Sequence, residues 1–529
     1  MAYHTNLYLF LFLPAVLLMY QIVPRRWRSS VLLCSSYLFF ISISKGLVLF
    51  LAGSTLLTYC AGNRIAHLKL RCMQETEDAE QTQQQSIREK YRKKEKWVLF
   101  LGIFCLVFLL GYLKYYNFFA ENVNWMTETV AGKTVLSLKK LILPVGISFY
   151  TMDAVGYLAD VYWDRVKPER NPKKLALFLS FFPKLMEGPI CQYADVADQL
   201  MAGESLKSEN LTRGFVRILW GLFKKMIVAD RLYLLVNTVF DGYESYSGMV
   251  VVVAAVAYTI QLYMEFSGSI DIVIGSGNLF GIVLPENFRQ PFCAVNAADF
   301  WRRWHISLGT WFRTYIFYPV SVSDPVKRWN RFARKRFGKY WAKVGLSAMC
   351  LFPVWSLNGL WHGPQWNYLF YGMYYFVILL LEVVAEPLGV RVRKLLHVEE
   401  GCTWWRCLQV GKTWLIIFTG ELFFRAENLG AGFRMFGSIF RHFEFRTLWD
   451  GTILNLGLGR ADFFAVLVGC IVVGIIGSLK ERKHPVLDRV LQARLSVRWL
   501  VYGTLIFSIV ILGAYGSGYQ EVDLIYAGF

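Results

Sequence analysis

Trp97-Val98-Leu99-Phe100-Leu101-Gly102-Ile103-Phe104-Cys105-Leu106-Val107-Phe108-Leu109-Leu110-Gly111-Tyr112-Leu113 contains no charged side chain, and residues 90–96 just before it are mostly basic. A helix crosses the hydrocarbon core of a bilayer with ~20 mostly apolar residues, so this stretch reads as a membrane span with a cationic foot. Comparable runs recur from end to end, at residues 7–22, 31–43, 47–61, 141–157, 216–240, 249–266, 270–283, 344–360, 368–384, 414–424, 463–476 and 500–514. Hydrophobic residues make up 55% of the 529 and charged residues only 18%, a balance that a soluble chain of this length does not need. The expected fold is an all-α polytopic membrane protein with about ten to thirteen transmembrane or re-entrant helices. Residues 1–529 read as a single membrane domain without internal repeats.

Charge sets the orientation and narrows the function. The net charge is +19, yet the Lys and Arg residues sit in short loops between apolar runs, where they fix topology. Arg25, Arg26 and Arg28 follow the first run, and residues 90–96 precede the fourth. Both loops are expected in the cytoplasm, which places the N-terminus outside. No basic, aromatic-interleaved soluble module is present, so nucleic-acid binding is not expected. The first run lacks the basic start and small-residue cleavage site of a secretory signal and is expected to remain as the first span. The cysteines stand mostly singly inside apolar runs, the pattern of buried small hydrophobes and not of a disulfide framework. His397, Cys402 and Cys407 are spaced suggestively, but no CxxC or HExxH accompanies them, and no metal is expected.

Three polar features interrupt the apolar pattern. Residues 62–96 are expected to form a cytoplasmic loop, whose Gln/Glu/Lys-rich part, 75–96, is a helical hairpin or a flexible segment. Residues 175–190 begin as a span and break at Pro183, Gly188 and Pro189, with Lys184 and Glu187 inside the break. Non-helical backbone at membrane depth is tolerated only where protein or water covers it. The segment therefore reads as a re-entrant element facing an internal cavity, or as a corner at the interface. Residues 323–343 interleave Lys327, Arg328, Arg331, Arg334, Lys335, Arg336, Lys339 and Lys343 with Trp329, Phe332, Phe337, Tyr340 and Trp341. That is the pattern of a cytoplasmic interfacial helix drawn to anionic lipid. Arg334, Lys335 and Arg336 would also suit the docking of an anionic donor, such as a CoA phosphate or an acidic carrier protein.

Soluble-enzyme signatures fail. Gly132-Lys133-Thr134 ends like a P-loop, but Thr127 stands where the first glycine belongs. Gly275, Gly277 and Gly281 are out of register for a dinucleotide loop, and no GxSxG elbow occurs. Two histidines remain in apolar, aromatic-rich sequence: His305 in Trp301-Arg302-Arg303-Trp304-His305-Ile306-Ser307, and His362 in Gly359-Leu360-Trp361-His362-Gly363-Pro364. An ionisable side chain at membrane depth needs a partner or a cavity, and imidazole is the group suited to moving protons near neutral pH. Gly363 and Pro364 should end a helix at His362, with Trp361 and Trp366 walling a cavity. His305 should lie on a helix-like run near Trp301, Trp304, Ser307, Thr310 and Arg313. The competing reading is that each is a hydrogen-bonded structural histidine.

With these blocks in hand the chain resembles the membrane-bound O-acyltransferase superfamily, in the branch of the alginate O-acetyltransferase membrane subunit, with the teichoic acid D-alanyl transfer protein as a cousin. The likeness runs through Leu143-Pro144-Val145-Gly146-Ile147-Ser148-Phe149-Tyr150, Phe182-Pro183, Gly188-Pro189-Ile190, Phe266-Ser267-Gly268 with Asp271 and Gly275, and Leu284-Pro285-Glu286-Asn287-Phe288. It continues through residues 299–308, Gly359-Leu360-Trp361-His362-Gly363 and Phe423-Phe424-Arg425-Ala426. The resemblance implies helices arranged around a central funnel, with the family's characteristic histidine, here His362, near its bottom and His305 as the second polar position. Thr314 stands where the family has aspartate, and Ser267-Gly268-Ser269-Ile270-Asp271 departs from the usual Ser-Gly-Tyr-Ser-Asp, which bears on substrate choice and not on reaction class.

Acyl transfer from a thioester to a hydroxyl needs a base for the hydroxyl proton and donors for the developing oxyanion. His362 is expected as the base and His305 as the group that orients the donor or bonds the oxyanion. Trp301, Trp304, Arg313, Trp361 and Asn287 are the candidate substrate-binding residues. No tightly bound cofactor is expected. The resemblance implies an acetyl-CoA or acyl-carrier-protein donor on the cytoplasmic side, an extracytoplasmic polysaccharide or partner transferase as acceptor, and a multi-pass location in a bacterial inner membrane. D-alanyl transfer to teichoic acid from a carrier is the rival reaction. A glycan or lipid transporter, the rival class, would show paired broken helices in related halves, which the sequence lacks.

Overall fold

The computed structural model describes residues 2–399 and 401–515. Among them the regular structure is helical, with no strand. Among the described residues seven stretches are long and apolar enough to cross a membrane: Arg25–Glu77, Gln81–Ala131, Gly248–Leu279, Gly338–His362, Trp366–Leu395, Arg460–Glu481 and Leu495–Leu512, beside the shorter apolar Leu7–Ile22. The chain is a multi-pass membrane protein. Several expected runs differ in detail. Residues 249–266 and 270–283 were expected as two spans but belong largely to one helix, Gly248–Leu279. Gly268 does not break it; a Cβ there would meet the carbonyl oxygen of Gly221 at 2.8 Å, so the glycine serves a close helix contact. Residues 141–146 stay outside the helix, which starts at Ile147 after Gly146, whose φ is +69°.

Contacts divide the chain into two compact units, residues 1–215 with 273–285, and residues 216–272 with 286–529. In the first, the polar segment 75–96 is a helical hairpin: Val48–Glu77 turns at residues 78–80 into Gln81–Ala131. The broken segment 175–190 is helical over Pro172–Ser180, leaves the helix at Phe181 and makes one 3-10 turn, Phe182–Lys184. Every residue from 177 to 191 is buried, so protein covers this backbone as it must. Lys184 is tolerated there because it pairs with buried Asp153, whose other oxygen accepts from the Cys191 backbone N–H at 3.0 Å. The hydroxyl of Tyr3 bridges the turn, donating to the Phe182 carbonyl at 2.8 Å and accepting from Met186 N–H at 3.0 Å.

In the second unit, Gly338–His362 and Trp366–Leu395 form a tight pair joined by Gly363, Pro364 and Gln365. Two glycines let the backbones touch. A Cβ on Gly359 would lie 2.5 Å from the Tyr368 carbonyl oxygen, and one on Gly372 would lie 2.3 Å from that of Trp355. Small residues at such crossings are how packed membrane helices approach closely. The connection presents His362 at the last residue of its helix, as the Gly-Pro signal implied. Residues 216–240 carry buried cations inside an apolar run, and the helix widens there into a π-helical stretch, Phe223–Ala229. Lys225 pairs with Asp230 at 2.7 Å, and Arg231 pairs with Asp462 of the 460–481 helix.

Candidate active site

The Leu284-Pro285-Glu286-Asn287-Phe288 block is anchored by charge. Arg217 donates from Nε to Asp271 Oδ1 at 2.7 Å and bidentately to Glu286 at 2.6 Å through each terminal nitrogen. Lys224 completes the cluster, 2.5 Å from Asp271 Oδ2 and 2.8 Å from Ser267 Oγ. The cluster uses two motif acids, Asp271 and Glu286, with two cations that no motif had singled out. Paired and hydrogen-bonded in this way, buried charges avoid the several kcal/mol that an isolated one costs.

From that anchor the chain forms a clasp around His305. Ile306 N–H donates to the Asn287 carbonyl at 3.0 Å, and Arg289 N–H to the Arg303 carbonyl at 2.9 Å. Asn287 is fully buried, and its Oδ1 accepts from Ser307 N–H at 3.0 Å and from Ser307 Oγ at 2.9 Å. The same oxygen lies 3.2 Å from His305 Nδ1. Asn287 Nδ2, by contrast, is buried without a hydrogen-bond partner among the described residues. The sequence suggests a helix-like run at His305, but the residue lies outside any helix. It sits in the turn ahead of Ile306–Phe312 with φ +46° and ψ +53°, a left-handed conformation uncommon for a non-glycine residue. Burial pushes its imidazole well below the usual histidine range, so the ring is neutral.

Trp361 brings the two histidines into one constellation. Its indole packs edge-on to His305 at 5.5 Å between ring centroids and to His362 at 5.0 Å. Phe266 closes the other side of His305 at 4.9 Å. Around His362 stand Phe424 at 5.0 Å and Tyr371 at 5.8 Å, both near perpendicular. The Tyr371 hydroxyl donates to buried Glu421 at 2.8 Å. Asn367 ties the Phe423-Phe424-Arg425-Ala426 block in place, its Nδ2 donating to the Ala426 carbonyl at 3.0 Å. Both imidazoles are almost wholly buried, 2% exposed for His305 and 5% for His362, in surroundings that keep water away.

The other expected residues fall into separate groups. Trp301 and Arg313 line a polar pocket of about 300 Å³ together with Arg289, Arg302, Arg303 and Thr310. Ile306, the residue after His305, is also in its wall. Arg303 is held by Asp299 at 3.1 Å and Glu481 at 2.8 Å, whereas Arg289 and Arg313 are exposed. Trp304 is packed into the aromatic core against Phe288 and Phe300, at 5.1 and 5.4 Å. Trp366 is 52% exposed and does not wall the site, because the helix it opens turns its first residue outward. Arg334, Lys335 and Arg336 are exposed in the last turn of Asp324–Arg336, as a docking or lipid-facing surface requires. Arg217, Lys224, Tyr371 and Glu421 were missed from sequence; the cations inside the apolar run 216–240 were the available signal.

Comparison with known proteins identifies the family. Residues 170–389 match the model of MBOAT, the membrane-bound O-acyltransferase family. The chain is 32% identical over 476 residues to the probable alginate O-acetylase AlgI of Pseudomonas aeruginosa, covering 90% of this chain and 80% of that protein. It is 28% identical over 468 residues to the peptidoglycan O-acetyltransferase of Helicobacter pylori, covering 82% and 78%. The teichoic acid D-alanyltransferase of Bacillus subtilis is 30% identical over 245 residues, covering 45% and 58%. The clasp, the charge-anchored motif block, Trp361, His362 and Tyr371 fall within residues 170–389, and the chain belongs to the membrane-bound O-acyltransferase family, an O-acyltransferase by reaction class.

Proposed function

We propose that this protein transfers an acetyl group from a cytoplasmic thioester to hydroxyls of an extracytoplasmic polysaccharide, directly or through a partner transferase, in a bacterial inner membrane. The observation that carries the reading is the single indole, Trp361, in contact with both buried imidazoles. In the reaction the acceptor hydroxyl oxygen bonds to the thioester carbonyl carbon, the C–S bond breaks, and the hydroxyl proton ends on the departing sulfur. His362 takes that proton from the hydroxyl and returns it to the thiolate. His305 orients the reacting groups. A dry aromatic surround protects the thioester from hydrolysis while it waits.

The arginine-lined pocket beside His305 supports an anionic donor, since guanidinium groups suit phosphate esters. The exposed cations at 334–336 then serve encounter and not the final seat. Acetylation is favoured over D-alanyl transfer because the likeness to the alginate relative covers 90% of this chain and that to the Bacillus subtilis D-alanyltransferase 45%. The test is to place purified protein in lipid nanodiscs with acetyl-CoA and an acceptor glycan, and to measure acetyl ester and free thiol. Equal amounts of both are expected. Ester formed only from a D-alanyl carrier thioester would overturn the acetyl reading.

A further inference from the structure

The Asn287 contacts decide more than packing. Ser307 N–H is a backbone donor, so the Asn287 atom 3.0 Å from it is the carbonyl oxygen and not the amide nitrogen. That oxygen has no hydrogen to give. The ring nitrogen of His305 3.2 Å away must therefore carry the proton between them. An asparagine kept only for packing would satisfy both ends of its amide; here Nδ2 is buried with no partner among the described residues, while Oδ1 carries all the contacts.

We propose that Asn287 is a positioning residue of the acyl transfer, holding His305 as the tautomer protonated on Nδ1 so that Nε2 meets the substrate as a hydrogen-bond acceptor. The inference rests on the acyltransferase reading above and refines it. His305 then cannot donate to an oxyanion through Nε2 while neutral. It accepts an N–H or O–H of the bound reactants, and no bond forms or breaks at His305 in this role. The groups facing it are Phe266 from the 248–279 helix, Trp361 from the 338–362 helix, and Asn287 and Ser307 from the clasp. Glu265 precedes Phe266, and His362 lies beyond Trp361. The charges nearest along the chain are engaged elsewhere, Glu286 with Arg217, and Arg302 and Arg303 with Asp299, while Arg289 lines the pocket.

Asn287→Asp is the discriminating variant, because a carboxylate keeps the acceptor geometry and adds a charge that favours imidazolium. Its sign follows directly: the His305 pKa rises, the neutral acceptor is lost sooner as pH falls, and the acid limb of kcat/KM moves to higher pH by ~1–3 units. Activity should return toward wild type at alkaline pH. A carboxylate that mattered only for packing would leave the limb in place, and an unmoved limb overturns the proposal. A second readout does not depend on turnover. In ¹⁵N-histidine-labelled protein in nanodiscs, with His305→Gln for assignment, His305 should show its proton on Nδ1 in wild type, and in Asn287→Asp it should take up the second proton at a pH ~1–3 units higher than in wild type. A proton on Nε2 in wild type would refute the inference even if no acyl transfer were detected. If acyl transfer fails while the Nδ1 tautomer is found, the functional reading falls and the tautomer assignment stands.

Discussion

His305 and His362 lie against the same indole, yet they are held in opposite ways. His305 is gripped by a hydrogen-bonded clasp in a left-handed turn, and the clasp is anchored through Glu286 to Arg217 and Asp271. His362 ends a helix and is confined by the rings of Trp361, Phe424 and Tyr371. A hydrogen bond to one ring nitrogen selects a tautomer; ring edges fix a plane and exclude water. The difference teaches a division of labour. On the proposed function, the clasp would present a defined acceptor and the cage would surround the imidazole that exchanges its proton.

The sharpest way to separate the two regions is to cut the anchor of one. Asp271→Ala leaves Lys224 buried without its carboxylate and Arg217 with Glu286 alone, and should cost about 3–5 kcal/mol of stability. Loss of the monodisperse peak after mild heating, earlier than in wild type, checks it. A variant as heat-resistant as wild type would mean that the clasp does not depend on its charge anchor.

Next in size is the clasp histidine itself. His305→Ala should lower turnover about 10–100-fold, short of the effect at the cage, because an orienting contact contributes less than the proton-transfer group. Adding His305→Ala to a His362→Ala background should change little further, since residues that act as a unit are not additive. Independent, multiplying losses would place the two histidines in separate functions.

A smaller effect is expected from the cage wall. Tyr371→Phe keeps the ring against His362 but leaves Glu421 without its hydroxyl donor. Turnover should fall less than about tenfold, with the larger change in thermal stability, as for a buried hydrogen bond worth roughly 1–3 kcal/mol when one partner is removed. The smallest effect belongs to the exposed cations. Neutralising Arg334, Lys335 and Arg336 together should raise the donor KM several-fold for a free CoA thioester and fade with salt. A protein carrier would show a larger and more salt-sensitive change.

The membrane class and the two histidines were legible in the sequence because both rest on local signals, apolar run length and an imidazole in an apolar setting. The helix end at His362 was legible for the same reason, from Gly363 and Pro364. The turn at His305 was not, since its left-handed backbone is imposed by the distant Asn287 segment and no glycine announces it. Trp366 was expected in the wall, but helix phase turns it outward. Residues 249–266 and 270–283 belong largely to the single helix Gly248–Leu279 because Gly268 does not interrupt it and instead serves contact with Gly221. The charge cluster escaped notice because Arg217 is far along the chain from Asp271 and Glu286, and only the fold joins them.

The central claim is that His362 handles the proton of an acyl transfer from thioester to hydroxyl. Its most direct test compares purified wild type and His362→Ala in nanodiscs, both monodisperse, for acetyl ester formed from acetyl-CoA on an acceptor glycan. The account predicts ester formation by wild type and a fall of about 10²–10⁴-fold or more in the variant, with folding unchanged. A folded His362→Ala protein that turns over at the wild-type rate would contradict it.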